Sequence, residues 1–294
     1  MELAIIILNW NAAQDTIRCV RMVTAWRQLA PTVWVVDNGS VETDVTALRR
    51  ACPDVHLICN ETNRGFAGGN NLGIQAALAA GEMPILLLNN DATIAEADVI
   101  RLLKTLHIDE RFGFVGSLLF EANHPDHLLA AGGRNPVLHH QSHILELTPG
   151  PPVRPVAYVP GTVVLVRPMV FRRVGLLDET YFFSMEVADL CRRAAQAGYW
   201  SVVDIRARAF HALERSSDLR STLHVYYIIR NRFLFIRKFY PYTGWFLRAI
   251  WSLYNLALYL KLRPTQPATA RAVRLGWIDG LRGRFGGRNE LFSE

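Results

Sequence analysis

The sequence predicts an α/β fold built on a parallel sheet, and three observations carry that reading. Short apolar runs at Leu3–Leu8, Val33–Val36 and Val55–Ile58 alternate with segments of helical character at Gln14–Leu29 and Asp44–Ala51, the rhythm of βαβαβ. A fourth apolar run, Ile85–Leu88, follows the Ala-rich segment Asn71–Ala80. Uninterrupted apolar strands of this kind are what a sheet covered by helices on both faces requires. Half of the 294 residues are hydrophobic and the charges are dispersed among them, so the chain can bury a substantial core.

Taken in order, each strand ends in polar residues. Asn9–Trp10–Asn11 follows the first, Asp37–Asn38–Gly39–Ser40 the second, Asn60–Gly69 the third and Asn89–Asn90–Asp91 the fourth. In open α/β sheets ligands bind at these strand ends. Asn, Asp, Gly and Ser also simply make turns, and for one loop alone that explanation suffices. Asn63–Gly73 is a glycine-rich loop running into a helix, whose amides can face an anion or can serve close helix–strand packing. It is neither G-x-G-x-x-G nor a G-K-[ST] phosphate loop, so it supports neither a dinucleotide site nor a Walker-type ATPase. Asp91 emerges from an apolar strand and is a candidate metal ligand, although Asp also caps helices.

The second half starts at Ala92. It contains a Pro-rich stretch at Pro149–Pro160, a strand-like Thr162–Val166, a helix at Glu186–Ala197 and a strand-like Tyr199–Phe210. Glu186 and Asp189 lie three apart at the start of that helix, where a carboxylate can act as general base or, for Asp189, pair with Arg193 one turn on. His211 follows the last strand and can supply an imidazole to the metal of Asp91, although a lone His is more often structural. From Ser221 the chain reads as two or three helices rich in Tyr, Trp, Phe and Arg.

In order along the chain, Ile5–Asn11, Val36–Ser40, Asn63–Gly73, Leu86–Asp91, Gly161–Arg167, Phe182–Gly198, His211–Ser216 and Tyr226–Arg232 resemble the inverting glycosyltransferases of family two, in particular their rhamnosyltransferase-like branch. The resemblance implies a GT-A fold over residues 1–220. A Rossmann-like nucleotide-sugar-binding half (1–95) would be fused to an acceptor and catalytic half (96–220), with a basic, aromatic helical extension at 221–294. It implies transfer of a sugar, with dTDP-rhamnose the first donor to try and UDP-linked sugars next, to a saccharide or lipid-linked saccharide. Surface polysaccharide synthesis at the cell envelope is the implied setting. The roles carried over place Asp37 on the pyrimidine base and Asn9, Asn38, Arg64, Gly65, Asn70 and Asn71 on the nucleotide. Asn89 and Asn90 fall in the family's D-x-D element, whose final acid, Asp91, joins His211 on Mn²⁺ or Mg²⁺. Arg230, in an aromatic-then-Arg-Asn-Arg segment, is implied to face the diphosphate, and is equally readable as part of an amphipathic stripe.

One departure stands out. Where the family carries Glu-Asp-x-Asp, the second residue being the base, this chain has Glu186–Val187–Ala188–Asp189, and valine cannot take a proton. Either Glu186 or Asp189 takes over, or the chain is a weakly active or inactive nucleotide-sugar-binding scaffold; takeover is the expectation carried forward.

The net charge of +6 favours anionic partners. No nucleic-acid-binding module accompanies it, so nucleic acid is not expected as a partner. The four cysteines have no C-x-x-C spacing and fit reduced thiols in a cytoplasmic protein. Leu3–Leu8 lacks the basic region and cleavage site of a secretory signal and reads as a buried strand. Tyr242–Leu262 is apolar and aromatic but is interrupted by Arg248, short of the roughly 20 residues a bilayer crossing needs. It fits a helix lying in an anionic membrane surface, on the inner face of the cell membrane, and equally a helix packed on the catalytic body or against a homodimer partner.

Overall fold

A computed structural model describes residues 2–212 and 218–292. Ser216, in the His211–Ser216 segment singled out above, lies outside the described residues. Strands β1 (Ala4–Asn9), β2 (Thr32–Asn38), β3 (His56–Asn60) and β4 (Ile85–Asn89) are parallel in the order β3-β2-β1-β4, joined by helices α1 (Ala13–Thr24), α2 (Glu42–Ala51) and α3 (Gly65–Ala80). Side chains alternate between the two faces: Ile5 and Ile7 pack under α1, while Ala4 and Ile6 pack under α3.

Beyond β4 the sheet becomes mixed. After β5 (Ala92–Ile94), α4 (Glu96–Leu106), β6 (Phe112–Glu121), β7 (Leu128–Ala130) and β8 (Val153–Val156), the chain returns as β9 (Val163–Val166), antiparallel to both β4 and β6. A four-residue apolar run carries no record of its direction, which is fixed by the path of the chain around it. The sheet then continues through β10 (Trp200–His211), parallel to β6, to β5, which pairs antiparallel with β10. The Pro-rich stretch contributes β8, with Pro155 inside it, and β8 pairs with β10. One ten-stranded sheet therefore runs through both expected halves.

Two boundaries shift for identifiable reasons. The first helix stops at Thr24 instead of reaching Leu29, because the Glu96 carboxylate accepts hydrogen bonds from the amides of Gln28 and Leu29 at 2.6 and 2.8 Å and holds that segment off the helix. The glycine-rich segment is mostly helix: α3 already begins at Gly65. A side chain at Gly69 would lie 2.4 Å from Leu8 and one at Gly73 2.6 Å from Ile6, so these glycines let α3 lie directly on β1.

Helices α5 (Pro168–Val174) and α6 (Glu186–Gln196) cover the same face as α3. The C-terminal helices α7 (Asp218–Phe239), α8 (Gly244–Leu262) and α9 (Pro267–Arg282) are not an appendage. Ile229, Phe233, Phe235 and Ile236 of α7 belong to the same core as Ile74 of α3 and Leu190 of α6. Among the described residues no helix is long and apolar enough to cross a membrane.

Candidate active site

Strand register builds one corner of the site. Pairing of β1 with β2 sets Asn9 beside Asp37, and pairing with β4 sets Leu8 beside Asn89, so three polar ends open on one edge. Asp37 is buried, its Oδ1 accepting from Asn9 Nδ2 at 2.7 Å and its Oδ2 from the Ser40 amide at 3.0 Å. The hydroxyl of Thr16 donates to Asn9 Oδ1 at 2.8 Å and accepts from Asn90 Nδ2 at 2.9 Å. A chain of hydrogen bonds, Asp37–Asn9–Thr16–Asn90, thus spans the strand ends and fixes the residue preceding Asp91. Nothing in the sequence singles out Thr16, which lies in the first turn of α1, and only the fold turns it inward.

The same strand logic brings Asp91 to His211. Ala92 pairs with His211 across β5 and β10, and the Ala212 amide donates to the Asp91 carbonyl at 3.0 Å. The result is His211 Nε2 at 3.1 Å from Asp91 Oδ1, with both side chains largely buried, across a separation of 120 residues. Among the described residues no group of three or more His, Cys, Asp or Glu gathers as a metal site, so this pair stands as two donors.

Of the two readings open for the glycine segment, anion cradle and close packing, the geometry shows the packing one. The Gly65 amide donates to Asn63 Oδ1 and the Ala67 amide to the Phe182 carbonyl, so two early α3 amides are spent within the protein. Gly65 has φ of 73° and its missing side chain would sit 2.3 Å from the Phe182 carbonyl, a contact only glycine allows. Asn38 uses its full capacity internally: Nδ2 donates to Asn63 and to the Gly65 carbonyl, and Oδ1 accepts from Asn60 and the Arg64 amide. Asn70 is buried and donates to the Phe66 carbonyl. Asn71 ties α3 to the Leu177 backbone and to Glu179, and Arg64 pairs with Glu179 at 3.1 Å with both side chains half-exposed. Of this set Arg64 is the one with a solvent-facing charge; Asn38 and Asn71, expected on the nucleotide, brace the loop that would hold it.

Arg230 is corrected in the same way. It is fully buried and its guanidinium donates to the carbonyls of Gly286 and Tyr181 and to Asn231 Oδ1, which leaves nothing directed at a diphosphate. The solvated-stripe alternative fails too, for the same burial.

At the start of α6 the two carboxylates separate. Asp189 is completely buried, with Oδ1 accepting from Arg193 Nε at 2.6 Å and Oδ2 from the Tyr181 hydroxyl at 3.1 Å and from Lys238. Both oxygens of this carboxylate are thus engaged within the protein. Glu186 is also buried, yet its Oε2 has no hydrogen-bond partner. Burial, with a smaller push from the Asp189 charge, raises its pKa from 4.5 to about 7. Val187 is buried in the core, and a side chain on Gly161 would meet it at 3.0 Å. The next residue, Thr162, accepts the Asn89 amide at 2.9 Å, so the α6 entry and the Asn89–Asp91 strand end are connected through two adjacent residues.

Residues 4–136 match the family described as glycosyl transferase family 2. A low-salt glycan biosynthesis hexosyltransferase of Haloferax volcanii is 29% identical over 79% of this chain and 75% of its own. An N-acetylglucosaminyl-diphospho-decaprenol L-rhamnosyltransferase of Mycobacterium tuberculosis is 26% identical over 75% of this chain and 79% of its own. Among solved structures, a mannosyltransferase of Pyrobaculum calidifontis in complex with GDP-Man and Mn²⁺ superposes with a TM-score of 0.60 at 15% identity, covering 96% of this chain and 87% of that one. The chain is a glycosyltransferase of the GT-A fold that carries a glycosyl transferase family 2 domain over residues 4–136.

Proposed function

We propose that this glycosyltransferase moves a sugar, rhamnose first among the candidates, from a nucleoside diphosphate to a hydroxyl of a saccharide or lipid-linked saccharide, with inversion at the anomeric carbon and Glu186 as general base. The observation that carries this reading is the buried, unpartnered Oε2 of Glu186 at the head of α6. A base must keep a lone pair for the acceptor proton and hold a pKa near the working pH; Glu186 meets both conditions, while both oxygens of Asp189 are already engaged by Arg193, Tyr181 and Lys238. In the reaction the acceptor oxygen attacks the anomeric carbon, the bond from that carbon to the diphosphate breaks, and the acceptor proton passes to Glu186. Rhamnose and a lipid-linked acceptor find support in the function of the mycobacterial relative.

Asp91 and His211 bring an oxygen and a nitrogen donor within 3.1 Å of each other, a set that fits Mn²⁺ and, less well, the oxygen-preferring Mg²⁺. A divalent cation held there would offset the charge that grows on the departing diphosphate. Asn9 and Asp37, locked together at the neighbouring strand ends, would orient the base of the nucleotide, and Arg64 at the mouth of α3 would attract its phosphates.

The test is a panel of nucleotide sugars, dTDP-rhamnose and UDP-linked sugars included, assayed for binding and for transfer or hydrolysis with Mn²⁺, Mg²⁺ or chelator. Metal-dependent turnover of one donor is the expected outcome. Metal-dependent binding with no turnover of any donor would leave a binding protein in place of the transferase.

A surface feature bears on the acceptor. Helix α8 turns Trp245, Phe246, Ile250, Leu253, Leu256 and Leu260 to the outside, Trp245 and Leu253 each 69% exposed, beside Arg248, Lys261 and Arg263. An apolar face edged by basic residues suits the surface of an anionic membrane. Flotation with anionic liposomes should carry the protein upward; sedimentation as a dimer without flotation would assign the face to a second copy.

A further inference from the structure

Three of the four residues that lead into α6 are held in a costly backbone shape. Among the described residues four non-glycine positions have positive φ, and three of them are Phe182 (63°), Ser184 (69°) and Met185 (73°). Side chains with a Cβ resist this region, so such a conformation persists only where its surroundings over-determine it. Two residues of α7 do so here. Asn231 Nδ2 lies 3.0, 2.8 and 2.8 Å from the carbonyls of Tyr181, Phe183 and Ser184. Arg230 donates from Nε and Nη2 to Asn231 Oδ1 at 3.0 and 2.9 Å, which fixes the orientation of the amide and points its N–H groups at the strained segment. Arg230 also reaches the Tyr181 carbonyl itself, and both residues are fully buried.

What the segment connects gives the arrangement its meaning. Met185 is followed directly by Glu186, so the left-handed turn sets the direction in which α6 presents that side chain. On the other side the Phe182 carbonyl receives the Ala67 amide at 3.4 Å and occupies the space left by Gly65.

We infer that Asn231, oriented by Arg230, is a positioning residue for sugar transfer: it holds Phe182–Met185 in the left-handed shape that aims Glu186 and seats the α3 entry. The inference rests on the reading of Glu186 as the base. It assigns to the Arg-Asn pair a task inside the protein, in place of contact with the diphosphate.

The test uses the full chain and three forms: wild type, Asn231→Ala, and Asn231→Ala combined with Ser184→Gly and Met185→Gly. Loss of the amide should lower kcat by roughly 10- to 100-fold, the scale of an ångström-sized misplacement of a reacting group, with donor KM within about threefold of wild type. Glycine adopts positive φ without the Cβ penalty, so the triple variant should recover most of the lost kcat. A raised donor KM with unchanged kcat would make Asn231 a donor contact and overturn the inference, as would an unaltered kcat in Asn231→Ala. If Asn231→Ala does not fold, the triple variant decides alone: folding with turnover supports the inference, and failure to fold reduces Asn231 to core packing. Glu186→Gln separates the two readings, since normal turnover in that variant removes the base assignment, whereas an inactive Glu186→Gln beside an unrescued triple variant removes this inference only.

Discussion

The Asp91–His211 corner and the entry to α6 each deliver a titratable side chain to the proposed site, and they do so by opposite means. The corner is made of ordinary strand pairing: Ala92 opposite His211 is a register position, and the side chains meet at 3.1 Å as a consequence. The α6 entry is made of backbone that would not hold its shape alone, fastened by Asn231 and Arg230 from a helix far along the chain. Regular pairing gives a robust, shallow means of placing ligands. A fastened strained turn gives a buried carboxylate with an oxygen left without a partner, whereas the strand-end carboxylates of Asp37 and Asp91 each have one.

The contrast can be broken most directly at Glu186. Glu186→Gln removes the proposed base and should lower kcat by roughly 10²- to 10⁴-fold with donor binding preserved, measured by transfer kinetics and by nucleotide-sugar titration. The wild-type kcat should rise with pH through about 7, where burial has moved this carboxyl from its ordinary 4.5. Turnover in Glu186→Gln equal to wild type would return the α6 entry to a purely structural role.

His211→Ala probes the other region. It should raise the Mn²⁺ concentration needed for half-maximal turnover by about tenfold or more while leaving the fold intact, because the imidazole is one of two donors and the strand pairing does not need it. An unchanged metal requirement, read from Mn²⁺ titrations of activity, would dissolve the corner as a metal site.

The smallest effect concerns stability. The Glu186 carboxyl holds its proton more tightly folded than unfolded, so its contribution to stability is fully present below about pH 4.5 and is lost as pH rises through about 7. At about pH 8 the buried charge costs on the order of 3 kcal/mol, which the neutral amide avoids. Glu186→Gln should therefore melt several degrees higher than wild type at about pH 8 and show a much smaller gain at about pH 5, by thermal denaturation at the two pH values. Equal gains at both would mean the burial of charge is not what distinguishes this carboxylate.

Much of the site could be read from residues in order. Four apolar runs ending in Asn or Asp located the edge where Asn9, Asp37 and Asp91 gather, because a parallel strand puts its terminal residue there whatever the neighbouring sequence. His211, placed after the last strand, was expected beside Asp91, and the two side chains lie 3.1 Å apart. Asn38, Asn71 and Arg230 went the other way: residue type suggested ligand contact, and the fold consumes their polar atoms on loop carbonyls, amides and side chains. A one-dimensional reading cannot tell a donor aimed at a ligand from one aimed at a carbonyl fifty residues away.

The sequence by itself determined the α/β alternation, the strand-end polar residues and a valine at 187, where the family resemblance sets the base. Periodicity and turn chemistry are local, and they are written in neighbouring residues. Only the tertiary structure decided that β9 runs antiparallel, that Asp189 is neutralised by Arg193 and Lys238, and that Glu186 keeps a free oxygen. Those outcomes depend on which distant groups arrive at a buried point, and burial sets both the pKa of a carboxylate and the number of partners left to it.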